Sequence, residues 1–285
     1  MTLEFKHVNY IYDASSEYGV KALDDISLLI GEGEFIGVIG ATGSGKSTLM
    51  QHMNGLLHAT DGEILFNGKN IYDKGFSLKA LRNHVGFVFQ YPENQLFETT
   101  VFYDVCFGPK NLGLDQDAVK ETAAEALRFV GISEDLFTTS PFDMSGGQKR
   151  RVAIAGVLAM KPDILILDEP AAGLDPAGKK ELFENIRRLK TERNMTVILV
   201  SHSMEDVAEY VDRLIVMKSG SIVYDDSPVN VFKNVAELEA MGLAIPETAY
   251  LMRDLAAAGI PVDKDILTVD ACVDEIIKIF KNRQS

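Results

Sequence analysis

Nine residues, GATGSGKST at 40–48, combine three glycines, one lysine and four hydroxyl side chains between the strand-like FIGVIG and the helical TLMQHMNGLL. In that setting the run satisfies the phosphate-loop pattern G-x-x-x-x-G-K-[ST]. Its glycines let successive amides point into one cavity, Lys46 reaches the outer phosphates, and Ser47 can ligate Mg²⁺. The predicted nucleotide-phosphate site comprises Gly40, Ala41, Thr42, Gly43, Ser44, Gly45, Lys46, Ser47 and Thr48.

A second chemical signal is DILILDEP at 163–170, a buried-strand pattern that ends in two carboxylates. A strand end beside the phosphate loop is where Mg²⁺ and an attacking water need them. We expect Asp168 to hold the metal and Glu169 to act as general base, or to orient the water. Adjacent acids in a strand point to opposite sides, so a solvated strand end is the alternative for one of them.

Between these motifs lies MSGGQKRR at 144–151, in which SGGQ precedes a helical pattern. Ser145 and the amides of Gly146 and Gly147 at a helix start form a second anion-binding site. This segment, Ser145 to Gln148, resembles the signature of the ATP-binding-cassette family. The resemblance implies that it binds the γ-phosphate held by an opposing subunit. A helix cap without further function is the alternative.

Four further positions match that family in order and spacing. Tyr12 resembles the aromatic residue that stacks on adenine, although Tyr10 leaves this assignment open. Gln90 resembles the glutamine that joins the metal site to the transporter-facing loop. Asp175 lies in the GLD inter-subunit loop, and His202 follows a strand as the switch histidine does. The resemblance implies ATP and Mg²⁺ as cofactors. The Mg²⁺ ligands would be Ser47, Gln90 and Asp168, and the catalytic residues would be Lys46, Glu169 and His202.

The stretch from 89 to 113, FQYPENQLFETTVFYDVCFGPKNLG, resembles the energy-coupling factor transporters within that family. These bring vitamins and transition-metal ions into prokaryotic cells. VAIAGVLAMKPDILILDEPAAGLDP, IGATGSGKSTLMQHMNGLL and the insertion DASSEYGVKAL at 13–23 resemble the second of their two ATPases. The implied partners are a sibling ATPase, in a heterodimer or a homodimer, an integral-membrane scaffold protein and a substrate-binding membrane protein. We expect the scaffold to dock on a coupling surface formed by Tyr91, Glu93, Phe97, Glu98 and Phe102.

Apolar runs such as DILILDE, MTVILV and RLIVM, with helical patterns at 176–193 and 204–211, predict an α/β protein with a buried parallel sheet. The resemblance implies the P-loop NTPase cassette fold, with a RecA-like core, an antiparallel β subdomain and a helical subdomain. We predict a nucleotide-binding domain at 1–232. After Phe232, three weakly amphipathic helix candidates predict a small C-terminal domain at 233–285. The resemblance implies that this domain serves in dimerisation.

The composition restricts the functional classes. A net charge of −14 disfavours binding to nucleic acid, because that affinity comes mainly from Lys and Arg. Two isolated cysteines fit a reducing cytoplasm, and no apolar run approaches the roughly 18 residues that span a bilayer. We therefore expect a peripheral protein on the cytoplasmic face of the cell membrane.

The alternative is a soluble cassette ATPase acting on DNA or ribosomes, but such relatives usually fuse two cassettes or insert a coiled coil. A third hypothesis, a P-loop kinase that transfers phosphate to a small molecule, is disfavoured because it does not account for the SGGQ motif.

Overall fold

Ten strands form two sheets in the computed structural model, which describes residues 1–15 and 18–283. Ser16 and Glu17, in the predicted insertion, and the last two residues of the predicted C-terminal domain lie outside the described residues. The strands are β1 Leu3–Tyr12, β2 Val20–Ile30, β3 Phe35–Ile39, β4 Asp61–Phe66, β5 Lys69–Asn70, β6 Val85–Val88, β7 Ile164–Asp168, β8 Thr196–Val200, β9 Arg213–Lys218 and β10 Ser221–Asp226. The helices are α1 Lys46–Met53, α2 Leu78–His84, α3 Val101–Asn111, α4 Gln116–Phe129, α5 Gly146–Leu158, α6 Pro176–Arg193, α7 Met204–Tyr210, α8 Pro228–Val231, α9 Val235–Ala240, α10 Glu247–Ala257 and α11 Val269–Arg283.

The larger sheet has the strand order β10-β9-β3-β8-β7-β6. Its strands are parallel except β10, which pairs antiparallel with β9. The smaller sheet, β2-β1-β4-β5, is antiparallel. These sheets confirm the predicted α/β class. Since the carboxyl ends of parallel strands meet at one sheet edge, the phosphate loop, Gln90, Asp168 and His202 all lie at the edge where β3, β6, β7 and β8 end.

Alternation along the parallel strands divides the interior into two cores. In β7, Ile164 and Ile166 face the core shared with the antiparallel sheet, whereas Leu165 and Leu167 face the core beneath the helices. Every residue of this strand is buried. Because this strand is buried on both faces, its sequence is a continuous apolar run, and the strand could be predicted from that run.

The helices between the parallel strands follow the predicted patterns. Helix α6 covers 176–193 as predicted, and α7 ends at Tyr210, one residue before the predicted end. The antiparallel strands β5 and β10 and the helices α2 and α3 were not predicted from the sequence. Strand β5 has only two residues, and α3 contains Pro109, so neither presents a strong periodic pattern.

The tail after Phe232 contains three helices, α9, α10 and α11, as predicted. Five of its buried residues join the helical core of the preceding chain, namely Leu238, Leu243, Ile245, Ala249 and Leu267. Arg253 also donates a hydrogen bond to the carbonyl oxygen of Phe232 over 3.0 Å. Within the described part of the chain, no helix has the length and apolar character needed to cross a bilayer.

Candidate functional site

The phosphate loop connects β3 to α1 and depends on glycine backbone geometry. Gly45, the residue before α1, has φ +102, and a Cβ there would lie 2.5 Å from the carbonyl oxygen of Ala22. A Cβ on Gly40 would lie 2.4 Å from the carbonyl oxygen of Met217. Both positions therefore exclude side chains, and the loop residues from Thr42 to Thr48 line a cleft of about 410 Å³.

Lys46 lines this cleft and is buried. Its Nζ donates to the carbonyl oxygens of Gly40, over 2.6 Å, and Ala41, over 3.1 Å. Burial lowers the pKa of Lys46, and the carboxylates of Asp168 and Glu169 act in the opposite direction. The ammonium group is thus held beside the loop amides, where it can meet the phosphates of a nucleotide.

The second half of the cleft is organised around Glu169. This residue has φ 50, in the left-handed region that few non-glycine residues adopt, and its amide donates to the carbonyl oxygen of Val200 over 3.0 Å. Gln90 Nε2 donates to Glu169 Oε2 over 3.3 Å, and His202 Nε2 lies 3.0 Å from Oε1. The Glu169 carboxylate therefore lies between the side-chain amide of Gln90 and the imidazole of His202. Such strain at a cleft is typical of a functional residue.

Asp168 is the last residue of β7 and is 8% exposed. Burial and then the nearby Glu169 raise its pKa, whereas Lys46 and His202 lower it. Two carboxylates in one cleft favour a cation, and Ser47, Gln90 and Asp168 offer hydroxyl, amide and carboxylate oxygens, which suit Mg²⁺. The buried Ser44 Oγ in the phosphate loop has no hydrogen-bond partner among the described residues, as expected where a polar ligand completes the site.

Tyr12 lies at the mouth of the same cleft. Its ring is 39% exposed, and its hydroxyl lies 3.2 Å from Thr48 Oγ1, a hydrogen bond the sequence did not indicate. Tyr10 packs edge-on against both Tyr12 and the buried His52 and does not line the cleft. The geometry thus favours Tyr12 over Tyr10 as the aromatic residue available to a base.

The structure brings most of the predicted nucleotide-site residues into this one cleft. They are Tyr12, Thr42, Gly43, Ser44, Gly45, Lys46, Ser47, Thr48, Gln90, Asp168, Glu169 and His202. Gly40 and Ala41 contribute through their carbonyl contacts with Lys46.

The signature residues do not line the cleft. Ser145 caps α5 in a reciprocal box, in which its Oγ accepts from the Gln148 amide over 3.3 Å and its own amide donates to Gln148 Oε1 over 3.0 Å. Ser145 and Gly146 are exposed. Asp175 likewise caps α6 by accepting from the Gly178 amide over 2.7 Å. These caps are satisfied within the chain, and neither capping residue lines the nucleotide cleft.

The five residues of the predicted coupling surface differ in their surroundings. The Glu93 carboxylate accepts two hydrogen bonds from Arg150, over 3.1 and 2.8 Å, and so is not a free acceptor for a partner's arginine. Phe102 stacks on Phe137 and packs against the helical core. Tyr91 is exposed, with φ 55, and Glu98 is half-buried.

Phe97, the fifth residue, lines a groove of about 560 Å³ between α2, β6, α3 and α5. The groove is mostly apolar and includes Phe87, Phe89, Leu96, Phe97, Phe107 and Met160. Phe97 and Phe107 meet edge-on at 5.0 Å and are 57% and 45% exposed. Buried Asp104 holds the loop at this groove by accepting from the amides of Phe97 and Glu98. Phe107 and Asp104 were within the stretch at 89–113 but were not predicted, because an isolated aromatic or acid in a helix is usually structural.

Comparison with known proteins decides the family. The family model described as ABC transporter matches residues 23–172. The energy-coupling factor transporter ATP-binding protein EcfA2 of Caldanaerobacter subterraneus subsp. tengcongensis is 49% identical over 285 residues, which cover 100% of both chains. The chain belongs to the family of energy-coupling factor transporter ATP-binding proteins. Membership in this ABC family makes it an ATP-binding subunit with ATPase activity.

Solved structures agree with this assignment. CbiO1 from Clostridium perfringens, described as part of the ABC transporter complex CbiONQ, is 39% identical, with a TM-score of 0.74 over 88% of this chain and 98% of that one. The ATP-binding cassette MJ0796, solved as a dimer in a post-hydrolysis state with ADP and inorganic phosphate, is 30% identical, with a TM-score of 0.72 over 79% of this chain and 98% of that one. The fold is therefore that of ABC ATPases, and the DNA or ribosome alternative is not favoured.

Proposed function

We propose that this chain energises an energy-coupling factor transporter that imports vitamins or transition-metal ions, and that it works in a pair of ATPase subunits. The observation that carries the paired mechanism is the division of the site. The phosphate loop, Asp168, Glu169 and His202 line one cleft, whereas Ser145 caps the exposed start of α5 and does not line that cleft. A second subunit arranged head to tail would bring its Ser145-type helix start to the nucleotide.

In this mechanism two subunits close around two ATP molecules and hydrolysis reopens them. The amides before α1 and the Lys46 ammonium group bind the phosphates. Glu169 orients or deprotonates the attacking water, and His202 and Gln90 hold that carboxylate in place. Catalysis is mainly electrostatic, because these groups are positioned before the reaction begins.

Mg²⁺ would be held by Ser47, Gln90 and Asp168, and it would supply positive charge against the phosphates when bound. The buried Asp168 carboxylate fits this role because its ionised form needs a nearby cation. Two carboxylates and a lysine thereby keep separate functions in one cleft.

The groove that contains Phe97 and Phe107 is the proposed docking site for a cytoplasmic helix of an integral-membrane scaffold protein. It is mostly apolar and partly exposed, and its lining includes Gln95, Leu96 and Phe97, on the loop that starts with Gln90. An amphipathic helix can lay its apolar face into such a groove. Docking here would place the chain on the cytoplasmic face of the cell membrane, with a substrate-binding membrane protein as the further partner.

The paired mechanism is tested by replacing Ser145. Ser145→Asp retains an N-cap oxygen but directs negative charge towards the phosphate held by the opposing subunit. We expect ATP binding by the isolated chain to change by less than about twofold and hydrolysis by the assembled ATPase to fall about 100-fold. Ser145→Arg, which obstructs closure by size, should act in the same way.

The control is Ser77→Asp at the cap of α2, where the serine accepts from the Ala80 amide in the same manner. It should leave both measurements unchanged. Loss of ATP binding by the isolated Ser145→Asp chain would instead place Ser145 in its own nucleotide site and refute the paired mechanism.

A further inference from the structure

Two loops and helix α5 of the ATPase meet at the guanidinium group of Arg150. This residue lies on α5, five positions after Ser145, and is 5% exposed. Its Nε donates to Glu93 Oε2 over 3.1 Å and its Nη2 donates to Glu93 Oε1 over 2.8 Å. Glu93 belongs to the short 3-10 helix Pro92–Gln95 that follows Gln90. The planar fork therefore fixes both the distance and the orientation between that loop and the signature helix.

The GLD loop approaches the same place. A methyl group built on Gly173 would lie 3.9 Å from Arg150 Nη1. A methyl group built on Gly147 would lie 3.2 Å from Leu174 Cδ2. The first two turns of α5 and the GLD loop are thus packed together, with the guanidinium group beside them.

Both neighbouring loops lead back to the catalytic carboxylate. Gln90, three residues before Glu93, donates to Glu169 Oε2 over 3.3 Å. Gly173 follows Glu169 by four residues, and the Ala172 amide donates to the Glu169 carbonyl oxygen over 3.3 Å. The contacts form a closed ring that runs from Glu169 through Gln90, Glu93, Arg150 and Gly173 and back to Glu169.

We infer that Arg150 is a positioning residue that transmits displacement of the loop at 90–95 to the signature helix and the GLD loop. A bidentate, nearly buried ion pair resists stretching and rotation, so movement at Glu93 is carried to α5 rather than absorbed. Anchoring of α5 does not require this pair, because Val152, Ile154, Ala155 and Leu158 already fix the helix in the core. The inference rests on the proposed paired mechanism, in which the signature must meet the opposing nucleotide.

Arg150→Gln and Glu93→Gln test this role in the transporter assembled from the full chain and its partners. Each should lower ATP hydrolysis at saturating ATP about tenfold, lower the uptake per ATP hydrolysed, and leave ATP binding by the isolated chain within about twofold. The double variant should be no slower than either single variant, since both remove the same connection. Arg150→Lys, which keeps the charge but not the fork, should lie between the parent and Arg150→Gln.

A merely structural role gives a different pattern. If hydrolysis and uptake fall only in proportion to the folded fraction measured by thermal unfolding, with their ratio unchanged, or if the two single effects add, the inference is wrong. Because Glu93 is partly exposed, Glu93→Gln provides the test even if Arg150→Gln does not fold.

Two parallel variants separate this inference from the proposed function. Arg128→Gln removes an exposed ion pair with Glu134 on another helix and should change none of the measurements. Ser145→Asp reports on the paired mechanism itself. Normal hydrolysis by Ser145→Asp would overturn the proposed function, whereas loss of hydrolysis there with normal Arg150 and Glu93 variants would overturn only the positioning role.

Discussion

The Nε2 atom of His202 lies 3.0 Å from Oε1 of Glu169, at the point where two parallel strands of the central sheet end. The other carboxylate oxygen, Oε2, accepts from Gln90. Glu169 therefore has both oxygens engaged by residues from separate loops, and its backbone conformation is strained. This arrangement fixes the carboxylate in the cleft before any nucleotide enters, as the proposed catalytic role requires.

Glu169→Gln keeps the size of the side chain and removes its negative charge. We expect hydrolysis in the assembled complex to fall about 100-fold or more, since an uncharged amide cannot act as general base, while ATP stays bound. The measurements are the steady-state hydrolysis rate and the nucleotide retained after gel filtration. Glu184→Gln on the exposed face of α6 is the control. A near-parent rate for Glu169→Gln would remove Glu169 from the mechanism.

Asp168→Asn should stabilise the ligand-free chain while impairing its response to Mg-ATP. Burial and Glu169 raise the pKa of Asp168 in the folded chain. The ionised form therefore carries a free-energy penalty that is absent below the ordinary carboxyl pKa and grows as pH rises through the raised pKa. At neutral pH we expect the Tm of the ligand-free variant to lie above that of the parent.

This advantage of Asp168→Asn should narrow as the pH falls, because Asp168 is then protonated in the parent too. With Mg-ATP the parent should gain more in Tm than the variant, because ligand stabilisation follows affinity. Thermal unfolding scans across pH, with and without Mg-ATP, provide the measurement. A variant that is less stable than the parent at neutral pH, or that gains equally from Mg-ATP, contradicts the assigned role.

Tyr12 should contribute its ring, and not its hydroxyl group, to ATP binding. Stacking on a base is worth about 1–3 kcal/mol, so Tyr12→Ala should weaken ATP binding by about tenfold. Tyr12→Phe loses only the contact with Thr48 Oγ1 and should bind ATP within about twofold of the parent. Titration calorimetry with ATP and with inorganic triphosphate separates the base from the phosphates. Equal losses for both ligands would indicate that Tyr12 supports the loop and does not stack.

Much of the fold and of the nucleotide cleft could be predicted because short-range rules fix them. The phosphate loop needs glycine geometry between one strand and one helix, and Asp168 ends a strand whose apolar run is continuous. Local spacing therefore located these residues. The choice between Tyr10 and Tyr12 required the structure, because neighbouring rings differ only in what each one packs against.

The contacts of the predicted coupling residues could not be predicted from the sequence, because tertiary packing determines them. Glu93 and Arg150 are separated by 57 residues in sequence, and nothing near either of them indicates the ion pair. Phe102 and Phe107 are five residues apart on α3, yet one stacks in the core and the other lines the groove. Which face of α3 each residue occupies decides whether it packs in the core or lines the groove. The sequence of α3, which contains Pro109, has only a weak helical periodicity from which to predict that face.

The C-terminal helix α11 offers a surface for the dimerisation role proposed for the tail. Val269, Val273, Ile277 and Phe280 are all exposed and, at spacings of four, four and three, share one face of the helix. Val273→Gln with Ile277→Gln should raise the apparent Kd of the dimer at least about tenfold. Analytical ultracentrifugation measures this change as a lower dimeric fraction. Asp274→Gln, an exposed change on the same helix, should have no effect. An unchanged dimeric fraction for the double variant would exclude this face from the dimer interface.

The groove can be tested without disturbing the Glu93 to Arg150 ion pair, which charge reversal at Glu93 would break. Phe97→Ala with Phe107→Ala removes two exposed rings that meet at the groove, so the core remains filled and ATP binding by the isolated chain should stay within about twofold. Loss of two aromatic contacts from a docked helix should weaken co-purification of the membrane scaffold protein about tenfold or more and reduce uptake. Leu29→Ala removes an exposed apolar side chain from β2, outside the groove, and should change neither assembly nor uptake. If the double variant assembles and transports as the parent does, the scaffold docks elsewhere on the ATPase.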